Sequence, residues 1–77
     1  MIKVLLFARM REVVGDAQVL IDQDRMTIQE LKQHMSERFG LQEQEVMMVA
    51  VNEKFADDQQ VVKRGEVVAF IPPVSGG

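Results

Sequence analysis

The stretch Met26-Thr27-Ile28-Gln29-Glu30-Leu31 fixes where the one long helix of this chain begins, and so separates an N-terminal group of short apolar runs from a C-terminal one. Thr27 at the N-cap and Glu30 at N3 make a capping box, in which each side chain accepts a hydrogen bond from the other residue's backbone N–H. Met26 and Leu31 take the hydrophobic-staple positions. Ile28, Leu31, Met35 and Phe39 then recur at helical spacing and form one apolar stripe. Gly40 stands where a left-handed residue ends a helix. The pattern predicts a helix from Ile28 to Phe39 with one face laid on a sheet.

The other apolar runs are short and read as strands. Ile2 to Phe7 places Ile2, Val4 and Leu6 on a core face and Lys3, Leu5 and Phe7 on a partly exposed one. Ala8 to Val14 has room for a short helical turn, Gly15-Asp16 turns the chain, and Ala17 to Ile21 returns as a second strand. Asp22 to Arg25 reads as a polar loop. After the helix, Leu41 to Glu45 is a connector. Val46 to Val51 is apolar on both faces, which predicts a central or doubly covered strand. Asn52-Glu53 is a tight turn and Lys54-Phe55-Ala56 a short return strand. Asp57 to Gln60 is a loop, Val61-Val62 leads into a turn at Lys63-Arg64-Gly65, and Glu66 to Ile71 is the last strand. A mixed sheet of four or five strands packed on one main helix is α+β. With the first and last strands as parallel neighbours in its middle, the arrangement is that of the ubiquitin-like β-grasp.

Two prolines close the last strand. Neither Pro72 nor Pro73 has a backbone N–H, so the ladder stops at Ile71. Each proline also biases the residue before it toward extended backbone. The expected organisation is therefore a β-grasp domain over residues 1–71 and an extended tail over residues 72–77, Pro72-Pro73-Val74-Ser75-Gly76-Gly77. Six extended residues reach about 20 Å. The two final glycines remove every Cβ from the tip and leave φ free. Such a tail suits insertion into a narrow site on another protein, with Gly77 offering its carboxylate.

A chain of 77 residues makes one domain. Its stability should be on the order of 5 kcal/mol. Net charge is −3 and the nine Lys and Arg are scattered, which argues against a nucleic-acid partner. Trp and Tyr are absent, so no stacking platform for bases is available. There is no cysteine, hence no disulfide and no thiolate metal site. No apolar run approaches a membrane span, and the start lacks a signal-peptide pattern. A cytoplasmic protein with no membrane partner is expected.

No catalytic set is visible. His34 is the only histidine and lies on the flank of the helix, away from the apolar stripe. Ser36 and Ser75 are the only serines, so a nucleophile with an adjacent base is not evident. Asp22-Gln23-Asp24 starts like a calcium loop but lacks the later ligands and glycine. It and Asp57-Asp58 read as solvated acid, and the methionines as fillers of a small core rather than a Met-rich binding surface, with Met47 and Met48 pointing to opposite faces so that one of them is open to solvent. The reactive group is then the terminal carboxylate, if there is one at all. A carboxylate becomes an acyl donor once activated as an acyl-adenylate with ATP. An amine then gives an isopeptide bond, whereas a sulfur donor gives a thiocarboxylate. Phe7, Ile71 and Phe55 are the candidate docking patch for the body, with ordinary core packing as the competing reading for each.

Residues Met1-Ile2-Lys3-Val4-Leu5-Leu6-Phe7-Ala8, Arg11-Glu12, Gly15, Ala50-Val51-Asn52, Gly65, Val68-Ala69-Phe70 and the whole Pro72–Gly77 ending resemble the molybdopterin synthase small-subunit family, molybdopterin-converting factor subunit 1. The resemblance spans the chain, and the Pro-Pro-Val-Ser-Gly-Gly end is its most specific part. Val67 departs from it, standing where relatives often carry an acid. The resemblance implies a sulfur carrier without catalytic residues of its own. Gly77 would be adenylated by a ubiquitin-activating-like adenylyltransferase, which uses the ATP, and a sulfur donor protein would convert it to the thiocarboxylate. The carrier itself would bind no cofactor. Gly76, Ser75, Val74, Pro73 and Pro72 would enter the large subunit, with Ile71, Phe7 and Phe55 docking the body. There the sulfur would pass to cyclic pyranopterin monophosphate to build the molybdopterin dithiolene. The implied assembly is a heterotetramer, with two small subunits at the ends of a large-subunit dimer. Arg11 matches a family position without an assigned role. A sulfur carrier for thiamine biosynthesis, a ubiquitin-like protein modifier and a plain interaction module are the other readings.

Overall fold

In a computed structural model, described over residues 1–73, seven strands and two helices succeed one another. The order is β1 (Ile2–Leu5), α1 (Ala8–Val14), β2 (Gln18–Ile21), β3 (Arg25–Thr27), α2 (Ile28–Phe39), a 3-10 turn (Glu43–Glu45), β4 (Met48–Val51), β5 (Lys54–Ala56), β6 (Val61–Lys63) and β7 (Val67–Ile71). Five strands form one sheet in the order β2-β1-β7-β4-β5, and β3 pairs with β6 in a separate ribbon. β1 and β7 run parallel in the middle, with Val4 opposite Val68. The other neighbours in the sheet are antiparallel. This is the mixed sheet of a ubiquitin-like β-grasp.

α2 starts and stops where its side chains dictate. Glu30 N–H donates to Thr27 Oγ1 at 3.1 Å, and Thr27 N–H donates to Glu30 Oε1 at 2.8 Å. The N–H groups of Ile28 and Gln29 would otherwise lack partners. They donate to the carbonyls of Gln60 (2.9 Å) and Asp58 (3.0 Å), which ties the helix start to the loop before β6. Gly40 ends the helix at φ +74°, with its N–H on the Ser36 carbonyl at 2.8 Å. Ile28, Leu31 and Met35 are fully buried and share one core with Ile2, Val4, Val68 and Phe70 from the inner face of the sheet. Phe39 packs on the same core from its margin.

Several expectations are corrected. Arg25, expected to end a polar loop, and Met26 and Thr27, expected only to lead into the helix, form a strand, with Met26 opposite fully buried Val62. Three residues with one apolar side chain carry no periodicity, so only the distant partner makes this strand. α1 is a helix of seven residues that buries Met10 completely, and Gly15 at φ +88° closes it. β1 and β4 are shorter than their apolar runs, ending at Leu5 and starting at Met48. β4 lies inside the sheet between β7 and β5, as expected of a central strand, with no further element over its outward face among the described residues. Val49 and Val51 point into the core, while Met48 on the other face is 42% exposed. Met47 is exposed as well, so both members of the Met47-Met48 pair are open to solvent where one was expected to be. Asp58 is no free loop acid, because its carboxylate accepts from Lys32 Nζ at 2.8 Å.

Candidate functional site

The helices close one face of the sheet and leave the other bare. Burial alternates along β7: Val68 and Phe70 are fully buried, and Val67, Ala69 and Ile71 are half-buried. Register carries this outward face across the sheet. Leu5 lies opposite Ala69, Ala69 opposite Ala50, and Ala50 opposite Phe55. Neighbouring strands lie about 4.8 Å apart. The row thus has two alanines in its middle and large side chains at its ends. A shallow depression of about 450 Å³ results, lined by Leu5, Ala50, Ala69 and Val67, with Asn52 and Glu53 at one end.

The second apolar cluster lies where the tail departs. Leu6 is buried and Phe7 comes next in extended backbone, φ −130° and ψ +156°, so Phe7 alternates to the outward side and stands 46% exposed. Ile71 lies opposite Met48. Its carbonyl accepts the Met47 N–H at 2.8 Å, and beyond it Pro72 and Pro73 have no N–H with which to extend the ladder. Strand parity predicts Phe7 and Ile71 on one face, with Phe55 as an extension of it; register puts Ile71 and Phe55 on the outward side of the sheet, and Phe7 follows buried Leu6. Phe55 sits on the edge strand with 68% of its surface open. Sequence reasoning missed Met48 and the two alanines. Adjacent methionines were a signal for the first, whereas alanine announces nothing until its neighbours are known.

The opposite end of β7 is held by a side-chain splice. Asn52 and Glu53 both take left-handed backbone, φ +49° and +71°, as a two-residue hairpin turn requires. Asn52 Oδ1 accepts the Val67 N–H at 3.1 Å, and Asn52 Nδ2 donates to Glu66 Oε2 at 3.0 Å. Glu66 Oε1 accepts the Lys63 N–H at 2.6 Å. These bonds fix where β7 begins. Pro72 is half-buried and Pro73 exposed. The expected tail positions Val74, Ser75, Gly76 and Gly77 lie outside the described residues.

Other predicted positions are less eventful. His34 is half-buried on the flank of α2, with Nε2 buried and unpartnered among the described residues. Ser36 lines a separate cleft of about 280 Å³ beside α2, floored by Leu41, Val46 and Phe70. Arg11 is exposed in the last turn of α1, beside Glu12, Gly15 and Asp16. Among the described residues no group of three His, Cys, Asp or Glu side chains is arranged to hold a metal ion. No helix there is long and apolar enough to cross a membrane.

With this geometry in view, the ThiS family model matches residues 4–77. The chain belongs to the ThiS family. Within it, this chain is 41% identical over 81 residues to the molybdopterin synthase sulfur carrier subunit of Escherichia coli (strain K12), an alignment that covers all of both chains. Among solved structures, the ThiS-family chain resembles SAMP1 from Haloferax volcanii, with a TM-score of 0.74 at 25% identity over 99% of this chain and 98% of that one. It also resembles a chain in the complex of subunits 1 and 2 of molybdopterin-converting factor from Helicobacter pylori, with a TM-score of 0.68 at 27% identity over 99% and 97%.

Proposed function

We propose that this chain is the sulfur carrier subunit of molybdopterin synthase. The observation that carries the proposal is the end-to-end relationship to a subunit of that name at 41% identity. The bare apolar face and the proline stop after Ile71 support it. In this reading residues 1–71 are the presenting body and residues 72–77 the arm. Gly77 attacks the α-phosphorus of ATP through its carboxylate oxygen, on a ubiquitin-activating-like adenylyltransferase, and pyrophosphate leaves. The terminal sulfur of a persulfide on a sulfur donor protein then displaces AMP to give an acyl disulfide, and an external thiol cleaves its S–S bond, forming a disulfide with the donor and leaving the thiocarboxylate on Gly77. The donor must be external, because the carrier has no cysteine.

The body docks on the large subunit through Phe7, Ile71 and Phe55, and the apolar area they cover offsets the ordering of the arm. Backbone ordering costs about 1–2 kcal/mol per residue. Pro72 and Pro73 reduce that cost because they are restricted before binding. Val74, Ser75 and Gly76 line the path, and Gly77 delivers sulfur to cyclic pyranopterin monophosphate in the partner's catalytic site.

The test is intact-mass measurement after incubation with the activating enzyme, ATP and a sulfur source, followed by addition of the large subunit and precursor. An oxygen-to-sulfur exchange on the chain and appearance of molybdopterin are expected. The likeness to SAMP1 favours a protein modifier as the second reading, and covalent adducts on target lysines in place of the exchange would establish it. Sulfur exchange without molybdopterin formation would instead place the carrier in another pathway, such as thiamine biosynthesis.

A further inference from the structure

On the outward face of the five-stranded sheet, one strand position carries an ionisable side chain. Lys3 lies between Leu20 of β2 and Val67 of β7, one residue pair along from Leu5 and Ala69. The other outward strand positions are apolar apart from Gln18 on β2. Lys3 is half-buried already in the free chain. Its ammonium makes no ion pair and no hydrogen bond among the described residues.

A partner that covers Leu5, Ala69 and Val67 also strips water from a charge set among them. Leaving an ammonium unpaired in such a place is costly. A lysine there is tolerated when the covering surface brings a carboxylate to it. We infer that Lys3 is the specificity-determining charge of the docking face, and that the surface which covers it is apolar with an Asp or Glu opposite Lys3. The net charge of the carrier, −3, favours a basic partner at long range. Beyond roughly 8–10 Å that field is screened at physiological salt, so the local pairing decides the fit.

The inference rests on the docking reading above, and its test separates the two. Affinity of the full-length chain for the purified large subunit of the same organism's molybdopterin synthase is measured by calorimetry for the wild type and for Lys3→Met, Lys3→Glu and Leu5→Asp, each checked for an unchanged urea midpoint. Lys3→Met keeps the apolar stem and leaves the partner's acid unpaired, so about a tenfold loss is expected. Lys3→Glu adds repulsion, and a loss of about a hundredfold or more is expected. Replacing one partner acid by Lys should then restore binding to Lys3→Glu and weaken it for the wild type. Undiminished or tighter binding by Lys3→Met shows that only the stem matters and overturns the inference. So does a Lys3→Glu loss that no acid-to-Lys change in the partner repairs. Indifference to Leu5→Asp shows that the partner does not cover the surface around Lys3 and overturns the inference alone, whereas failure of the wild type to bind removes the docking reading and the inference with it.

Discussion

At the scale of single residues, backbone positions with unusual φ give the sharpest expectations. Glu53 holds φ +71° with a Cβ in place, a conformation that disfavours most side chains. Glu53 makes no ion pair or side-chain hydrogen bond among the described residues that its loss would forfeit. Glu53→Gly should therefore raise stability by about 0.5–1 kcal/mol in urea titration, since glycine is the residue this turn prefers. A lowered midpoint would show that glycine's unfolded-state entropy outweighs the relief. Thr27→Ala works in the opposite direction. It removes the acceptor for the Glu30 N–H and should cost about 1 kcal/mol by the same measurement. Thr27 was legible in the sequence because a capping box is local. Glu53 was legible as a turn residue, but Asn52 as a splice between the β4–β5 hairpin and the start of β7 was not, because Val67 and Glu66 lie far along the chain.

At the scale of elements, the edge strand β5 separates docking from folding. Phe55 is 68% exposed, and its strand is paired on one side only, with β4. Phe55→Asp should shift the thermal midpoint by no more than a few degrees, since little burial is lost. It should weaken binding to the large subunit at least tenfold, as an unpaired carboxylate would enter an apolar contact. Calorimetric titration and a thermal melt on the same sample check both halves. Unchanged affinity would remove Phe55 from the docking patch and leave Phe7 and Ile71. Element boundaries were the least legible part. β3 and β6 exist because Met26 and Val62 meet across the ribbon, and neither three-residue segment declares itself alone.

For the whole molecule, smallness sets the consequences. The core holds one large aromatic, Phe70, fully buried on β7 among side chains from both layers. Phe70→Ala should cost about 3–5 kcal/mol. Against a total on the order of 5 kcal/mol this leaves a large unfolded fraction at physiological temperature. Circular dichroism at 37 °C would reveal it, and a cooperative melt near the wild-type midpoint would contradict it. Deleting Gly77 tests the other end of the molecule. The urea midpoint should stay where it is, while sulfur loading and molybdopterin formation disappear. Normal product yield from the truncated chain would end the proposal that this residue carries the sulfur.

The sequence by itself determined the helix, its caps, its buried stripe and the point where the last strand stops. Each of these depends on residues within a few positions of one another: a capping box, a helical period, a left-handed glycine, a proline without an N–H. It also suggested that β1 and β7 lie side by side and parallel. Tertiary structure alone decided which face stays open and what that face looks like. Leu5, Ala69, Ala50 and Phe55 come from four strands, and only the register of three ladders sets them in one row with a hollow at its centre. Lys3 became the one ionisable side chain among the outward strand positions for the same reason, because an isolated strand cannot show what its neighbours will place around it.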